Sequence, residues 1–161
     1  MYILNRTLDQ FHQLALPQLK NAVKGDFDLV EISKILQPRV STLNEIDEMV
    51  DFFDALPEYD IAMYTHKKMK TNSEIALASL KQAREVLAAL PQWSEEAIHD
   101  SLMNLIQELG IKNGQMLWPV RTAVSGKQFT PGGAIEIAHI LGQAETLRRI
   151  DTGIAKLSEQ A

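Results

Sequence analysis

A chain of 161 residues, 45% of them hydrophobic, has enough apolar side chain for one sizeable core or for two small lobes sharing an interface. The absence of cysteine excludes disulfides and thiolate metal sites and fits a reducing cytoplasm, and no apolar run approaches the roughly 20 residues that span a bilayer or resembles a signal peptide. A formal net charge of -5 excludes a chain coated in basic residues for indiscriminate binding of nucleic acid, DNA included, yet the charge is uneven: residues 1–60 hold five Lys or Arg against eleven Asp or Glu, residues 111–161 six against four, so only the last third offers a local anionic partner a basic surface.

In chain order, Leu8, Phe11, Leu14, Ala15 and Leu19 recur at helical spacing between start signals at Thr7 and Asp9 and a stop at Gly25, with Pro17 expected to kink or divide the helix. The stretch "DFDLVEISKILQ" repeats the pattern through Leu29, Ile32, Ile35 and Leu36 and should end before Pro38. A third helix follows directly, capped by Ser41 or Thr42 and burying Ile46, Met49, Val50 and Phe53. Past the polar stretch Lys67–Thr71, the expected junction between lobes 1–66 and 67–161, "SEIALASLKQAREVLAAL" reads as a helix capped by Ser73. The next helix opens at Ser94 with Glu95 and Glu96 in its first turn and stops at Gly110. No segment sustains period-2 alternation, so the predicted class is all-α, a two-lobed bundle of about eight helices.

Chemical motifs are mostly missing. There is no phosphate-binding glycine loop, no HExxH and no serine elbow, and His12, His66, His99 and His139 never pair at i,i+4, so neither a catalytic set nor a metal site is predicted. Lys67, Lys68 and Lys70 beside Tyr64 form a basic patch that reads either as a solvated connector or as a surface approaching a phosphate backbone.

The stretch "NGQMLWPVRTAVSGKQFTPGG", residues 113–133, is the informative one. An Asn113–Gly114 turn should precede a helix that begins or kinks near Pro119 and stops at Gly126; Thr130 and Pro131 then guide the start of "AIEIAHILG". With Val120, Ala123 and Val124 inward, Arg121 is directed sideways toward the second helix start, and a planar guanidinium beside free helix N–H groups suits phosphates or base edges.

At this point "LGIKNGQMLWPVRTAVSG…TPGGAIEIAHILGQAETLRRI" resembles the C-terminal signature of bacterial glutamyl-tRNA synthetases: a lysine–glycine turn, Pro-apolar-Arg, a Ser-Gly end, a Thr-Pro loop, an apolar helix closing on Leu-Gly, and a last helix. Upstream, "MYILNRTLDQFHQLALPQL" and "ISKILQPRVSTLNEIDEMVDFFDALPEYD" resemble the entry to that family's anticodon-binding half, its Arg-Val-x-Thr-Leu exit and its Phe-Phe stretch before Tyr-Asp, so the resemblance covers nearly the whole chain.

The resemblance implies an α-helix cage that binds the anticodon stem-loop of tRNA(Glu), and in some members of tRNA(Gln), as a cytoplasmic monomer with no membrane attachment. It further implies an excised domain: the family's HIGH and KMSKS-type signatures are missing here, and with them the ATP- and Mg-dependent ligation of glutamate to tRNA. Carried over by motif, Arg121 faces the anticodon, Thr130 and Lys127 belong to the contacting loop, Lys112 to the lysine–glycine turn, and Arg39, less securely placed, to discrimination of the final anticodon base. Arg39 also reads as a plain cap of a helix end. One departure is Gly133, where the family carries a bulky apolar residue, which removes a stacking surface. The alternative reading is a stand-alone helical adaptor that binds protein through an apolar groove and is related to the synthetase only by ancestry.

Overall fold

Thr7 starts the first helix of the computed structural model, which describes residues 7–40 and 45–159. Its hydroxyl accepts the Gln10 N–H at 3.2 Å while the Gln10 side chain accepts the Thr7 N–H at 3.1 Å, a reciprocal cap that opens α1, Leu8–Ala22. Pro17 does not divide α1: it lies on the exposed face, where the carbonyl it leaves without a donor can be hydrated. Asp28 caps α2, Leu29–Leu36, through the N–H groups of Val30 and Glu31. The third helix is shorter than its apolar spacing predicts; α3 covers Ile46–Val50 and tightens into a 3-10 turn at Asp51–Phe53, burying Ile46, Val50, Phe52 and Phe53 and leaving Met49 at the edge. Its predicted cap at Ser41 or Thr42 lies outside the described residues, as do Tyr2 and Ile3 in the stretch that resembles the family's entry segment.

These three helices pack on one another around Phe11, Leu19, Ile32 and Leu36. Asp54 then closes the group by accepting the N–H groups of Lys24 and Gly25, each at 2.7 Å. A 3-10 turn at Ile61–Tyr64 and the bridge between His66 and Thr71 lead into the second group. There α4 (Ser73–Ala88), α5 (Glu95–Leu109), α6 (Asn113–Ser125), α7 (Ala134–Leu141) and α8 (Gln143–Ser158) assemble around α4, which packs on α5, α6 and α8.

Several local signals act where they were predicted, and two are displaced. Ser94 accepts the Ala97 N–H at the start of α5, and Gly110 ends it at φ 66, a left-handed backbone that glycine adopts without strain. The cap of α4 is Asn72 rather than Ser73; its carboxamide accepts the Ile75 N–H at 2.9 Å and Ser73 is the first helical residue. The cap of α7 is Gly133, two residues past the Thr130–Pro131 pair expected to guide its start.

The larger correction concerns α6. The helix begins at Asn113, so Asn113–Gly114 forms its first turn and Pro119 sits in its middle. A proline there deprives the Gln115 carbonyl of its donor, and the Ser79 hydroxyl of α4 supplies one at 2.8 Å. The core is continuous across the two groups. A fully buried Arg149 on α8 donates to the Val124 carbonyl of α6 at 2.7 Å and to the Phe53 carbonyl of the first group at 3.2 Å, with Glu145 pairing its Nε at 2.7 Å.

Candidate RNA-facing site

Arg121 leaves α6 one turn after Trp118, a spacing that puts both side chains on one face. The guanidinium lies over the indole, 4.5 Å from the ring centroid, and its two terminal nitrogens donate to the Thr130 hydroxyl at 3.1 Å and to the Gln128 carbonyl. Arg121 therefore staples the α6–α7 loop to the helix. Burial pushes its pKa down, but an arginine stays charged at any physiological pH, and its Nε is buried without a hydrogen-bond partner. Trp118 is fixed from its other side: its indole N–H donates to the Met63 carbonyl at 2.9 Å, and the His66 ring lies 4.3 Å away.

This pair walls a cavity of about 350 Å³ together with Leu117 and Met69, and Gly133 and Ala134 at the start of α7 form the facing wall. The predicted convergence of Arg121 and the α7 N-terminus is thus present. The N-terminus is not vacant, however, because the Glu136 carboxylate accepts the Gly133 N–H at 2.8 Å. A carboxylate already seated on the helix dipole repels a phosphate, which leaves a mostly apolar slot with a cationic aromatic edge. Such a slot suits a flat, neutral, hydrogen-bonding ring. Gly133 adds no side chain to it; a Cβ there would stand 2.9 Å from the Glu136 carboxylate oxygen.

The other predicted residues are found in different states, and none of Thr130, Lys127, Lys112 and Arg39 lines this cavity. Thr130 accepts from Arg121 and donates to the Gly132 carbonyl, so its hydroxyl shapes the loop. Lys127 is not a free cation: its ammonium is 2.7 Å from Asp51 and donates to the Glu48 carbonyl at 3.1 Å, tying the same loop to α3. Lys112 is exposed at the cap of α6, where its N–H donates to the Gln115 side chain at 2.9 Å. Arg39 donates to the Ile35 carbonyl at 2.9 Å, the geometry of a helix-end cap, and does not line the Arg121 cavity.

Sequence reasoning missed three members of the site. Trp118 was detectable from its i,i+3 spacing to Arg121. Phe129, 82% exposed between Gln128 and Thr130, lines a second cavity of about 410 Å³ with Lys127 and Asp51; an aromatic isolated in a glycine- and proline-rich loop was its signal. Met69 has no sequence signal, since its place depends on Gly114 forty-five residues on; a Cβ at Gly114 would come 2.7 Å from the Met69 sulfur. Elsewhere Glu31, Glu95 and His139 bring metal-ligand-type atoms within 4.8 Å of one another from three helices, a grouping that i,i+4 spacing cannot detect. There His139 Nδ1 stands 3.6 Å from Glu95, an ion pair whenever the imidazole is protonated.

No helix among the described residues is long and apolar enough to cross a membrane. The family model for an anticodon binding domain matches residues 10–154. Glutamate–tRNA ligases of Clostridium tetani and Clostridium acetobutylicum are 57% and 52% identical to this chain over 159 residues, which is 99% and 98% of it. The chain spans about a third of the length of these curated relatives. In fold it is similar to the crystal structure of a glutamate tRNA ligase from Elizabethkingia meningosepticum, with a TM-score of 0.75 and 22% identity, covering 93% of this chain and 30% of that one.

Proposed function

This chain belongs to the anticodon-binding domain family, and we propose that it reads the anticodon loop of tRNA(Glu) by taking one unstacked base into the cavity between Trp118 and the start of α7. The observation that carries this reading is the Arg121 guanidinium, stacked on Trp118 and held by Thr130 and Gln128 at the cavity wall. Single-stranded RNA is read by splaying bases onto aromatic or guanidinium planes and hydrogen-bonding their edges, and such a site needs a rigid plane at an apolar slot. Both walls come from one copy of the chain, so the site needs no partner subunit.

In this reading Arg121 is the base-facing residue, Thr130 and Lys127 set the loop, Gly133 leaves room for the base, and Phe129 offers a second stacking plane outside the cavity. Arg39 is exposed and spends one guanidinium nitrogen on the Ile35 carbonyl, while Lys112 is free to meet a phosphate. The chain serves a glutamate–tRNA ligase as its RNA-reading part, and ligation, with its ATP and Mg, belongs to segments beyond these residues. Photo-crosslinking of a stem-loop with 4-thiouridine in its anticodon tests the placement. Crosslinked peptides are expected from residues 113–134, and exclusive labelling of α5 or the outer face of α8 would rule the cavity out.

A further inference from the structure

Three lysines, Lys67, Lys68 and Lys70, stand exposed on one tight turn beside the cavity. The turn is a built feature: His66 and Thr71 exchange backbone hydrogen bonds at 3.2 and 3.1 Å, and the Thr71 hydroxyl, buried, donates to the Tyr64 carbonyl at 2.7 Å. Lys70 closes it at φ 58, a left-handed backbone that residues other than glycine seldom adopt. Between the lysines, Met69 turns inward onto Gly114 and forms part of the cavity wall.

Gln115 completes the link. Its amide donates to the Lys70 carbonyl at 3.1 Å and its carbonyl accepts the Lys112 N–H at 2.9 Å, so one side chain of α6 holds a fourth exposed lysine in register with the turn. Among the described residues, the ion pairs of the molecule engage Lys34, Lys127 and Lys156 but none of these four. In a chain of net charge -5, these four lysines have no carboxylate partner among the described residues, and they flank in sequence the cavity-lining residues Met69 and Asn113. Ammonium groups are point charges with three donors, suited to phosphate oxygens without regard to sequence.

We propose that Lys67, Lys68, Lys70 and Lys112 bind the phosphates flanking the nucleotide whose base enters the Arg121–Trp118 cavity. The inference rests on the reading of that cavity as a base site, and it divides the labour: the Glu136-capped interior rejects phosphate and takes the base, while the lysine rim takes the backbone.

The test compares the wild-type chain with Lys67→Gln/Lys68→Gln/Lys70→Gln, and with the corresponding triple arginine variant, in binding a fluorescent tRNA(Glu) anticodon stem-loop over a salt series. The glutamine variant is expected to flatten the slope of log affinity against log salt by about 2, at about 0.7 for each single-strand phosphate that is no longer neutralised, while keeping the preference for the cognate anticodon. The arginine variant should keep both. If wild type binds selectively and the glutamine variant shows the same slope, the lysine proposal is overturned and the base site stands. If wild type shows no anticodon preference at any salt, the base site falls and this proposal falls with it.

Discussion

Arg149 and Arg121 lie on neighbouring helices and are used in opposite ways. Arg149 is fully buried and saturated, satisfying the Val124 and Phe53 carbonyls and pairing with Glu145. Its replacement by alanine leaves the Val124 and Phe53 carbonyls without this donor and Glu145 paired with Arg148 alone, and should cost about 3–5 kcal/mol in urea unfolding. Glu145 makes the cluster pH-dependent. Hydrogen bonds from Arg148, opposed by burial and reinforced by Arg149, hold its carboxyl at about 2 against an ordinary value of 4.5. A carboxyl lowered in the folded state stabilises above its ordinary value and loses that contribution as pH falls toward 2. The stability gap between wild type and Glu145→Gln should therefore be full at pH 6 and shrink between pH about 4.5 and 2; a gap constant across that range would show that the pairing is inert. Arg121, by contrast, keeps one face toward a cavity. Arg121→Lys preserves the charge but not the fork that spans Thr130 and Gln128, and should cost about 1–3 kcal/mol against the cognate anticodon and less against altered ones, as read by titration. The sequence exposed Arg121 through its local Pro-x-Arg setting, whereas Arg149 was hidden because two of its three partners, Val124 and Phe53, lie 25 and 96 positions away.

At the scale of elements, α6 shows where a sequence is legible and where it is not. Ser94, Gly110 and the Thr7 cap act within four residues of themselves, and all three were readable. Pro119 was read as a helix start or a kink because its tolerance in mid-helix comes from Ser79, thirty-six positions away from the carbonyl it serves. Ser79→Ala removes that buried donor and should lower stability by about 1–2 kcal/mol; Ser79→Thr, which keeps the hydroxyl, should lose less. An alanine variant as stable as wild type would mean that water replaces the hydroxyl. Gly114 has the same non-local character. A backbone that looks like a turn in sequence is the first turn of a helix whose missing side chain admits Met69, and so one wall of the site. The candidate site was legible as a loop with an arginine; the cavity was not, because Met69 reaches it from a different element.

For the whole molecule, the two helical groups share one core and several cross-ties: Arg149 to Phe53, Lys127 to Asp51, and Lys156 over the Tyr59 ring at 4.8 Å. Both tryptophans lie in the second group, so their fluorescence reports on that group while far-UV circular dichroism reports on all the helices. The two transitions should coincide in urea, and separated midpoints would mean the groups unfold independently. The same continuity makes the Arg121 cavity a fixed feature, since its walls belong to the turn 67–70, α6 and α7 at once. The proposed base site is this cavity. Fluorescence anisotropy of a tRNA(Glu) anticodon stem-loop, set beside a loop of altered anticodon and the Arg121→Ala chain, tests it most directly. The cognate loop is expected to bind more tightly, with that preference lost in the variant. Equal binding of both loops by wild type, or a preference that survives in Arg121→Ala, would contradict it and favour a helical adaptor that recognises protein.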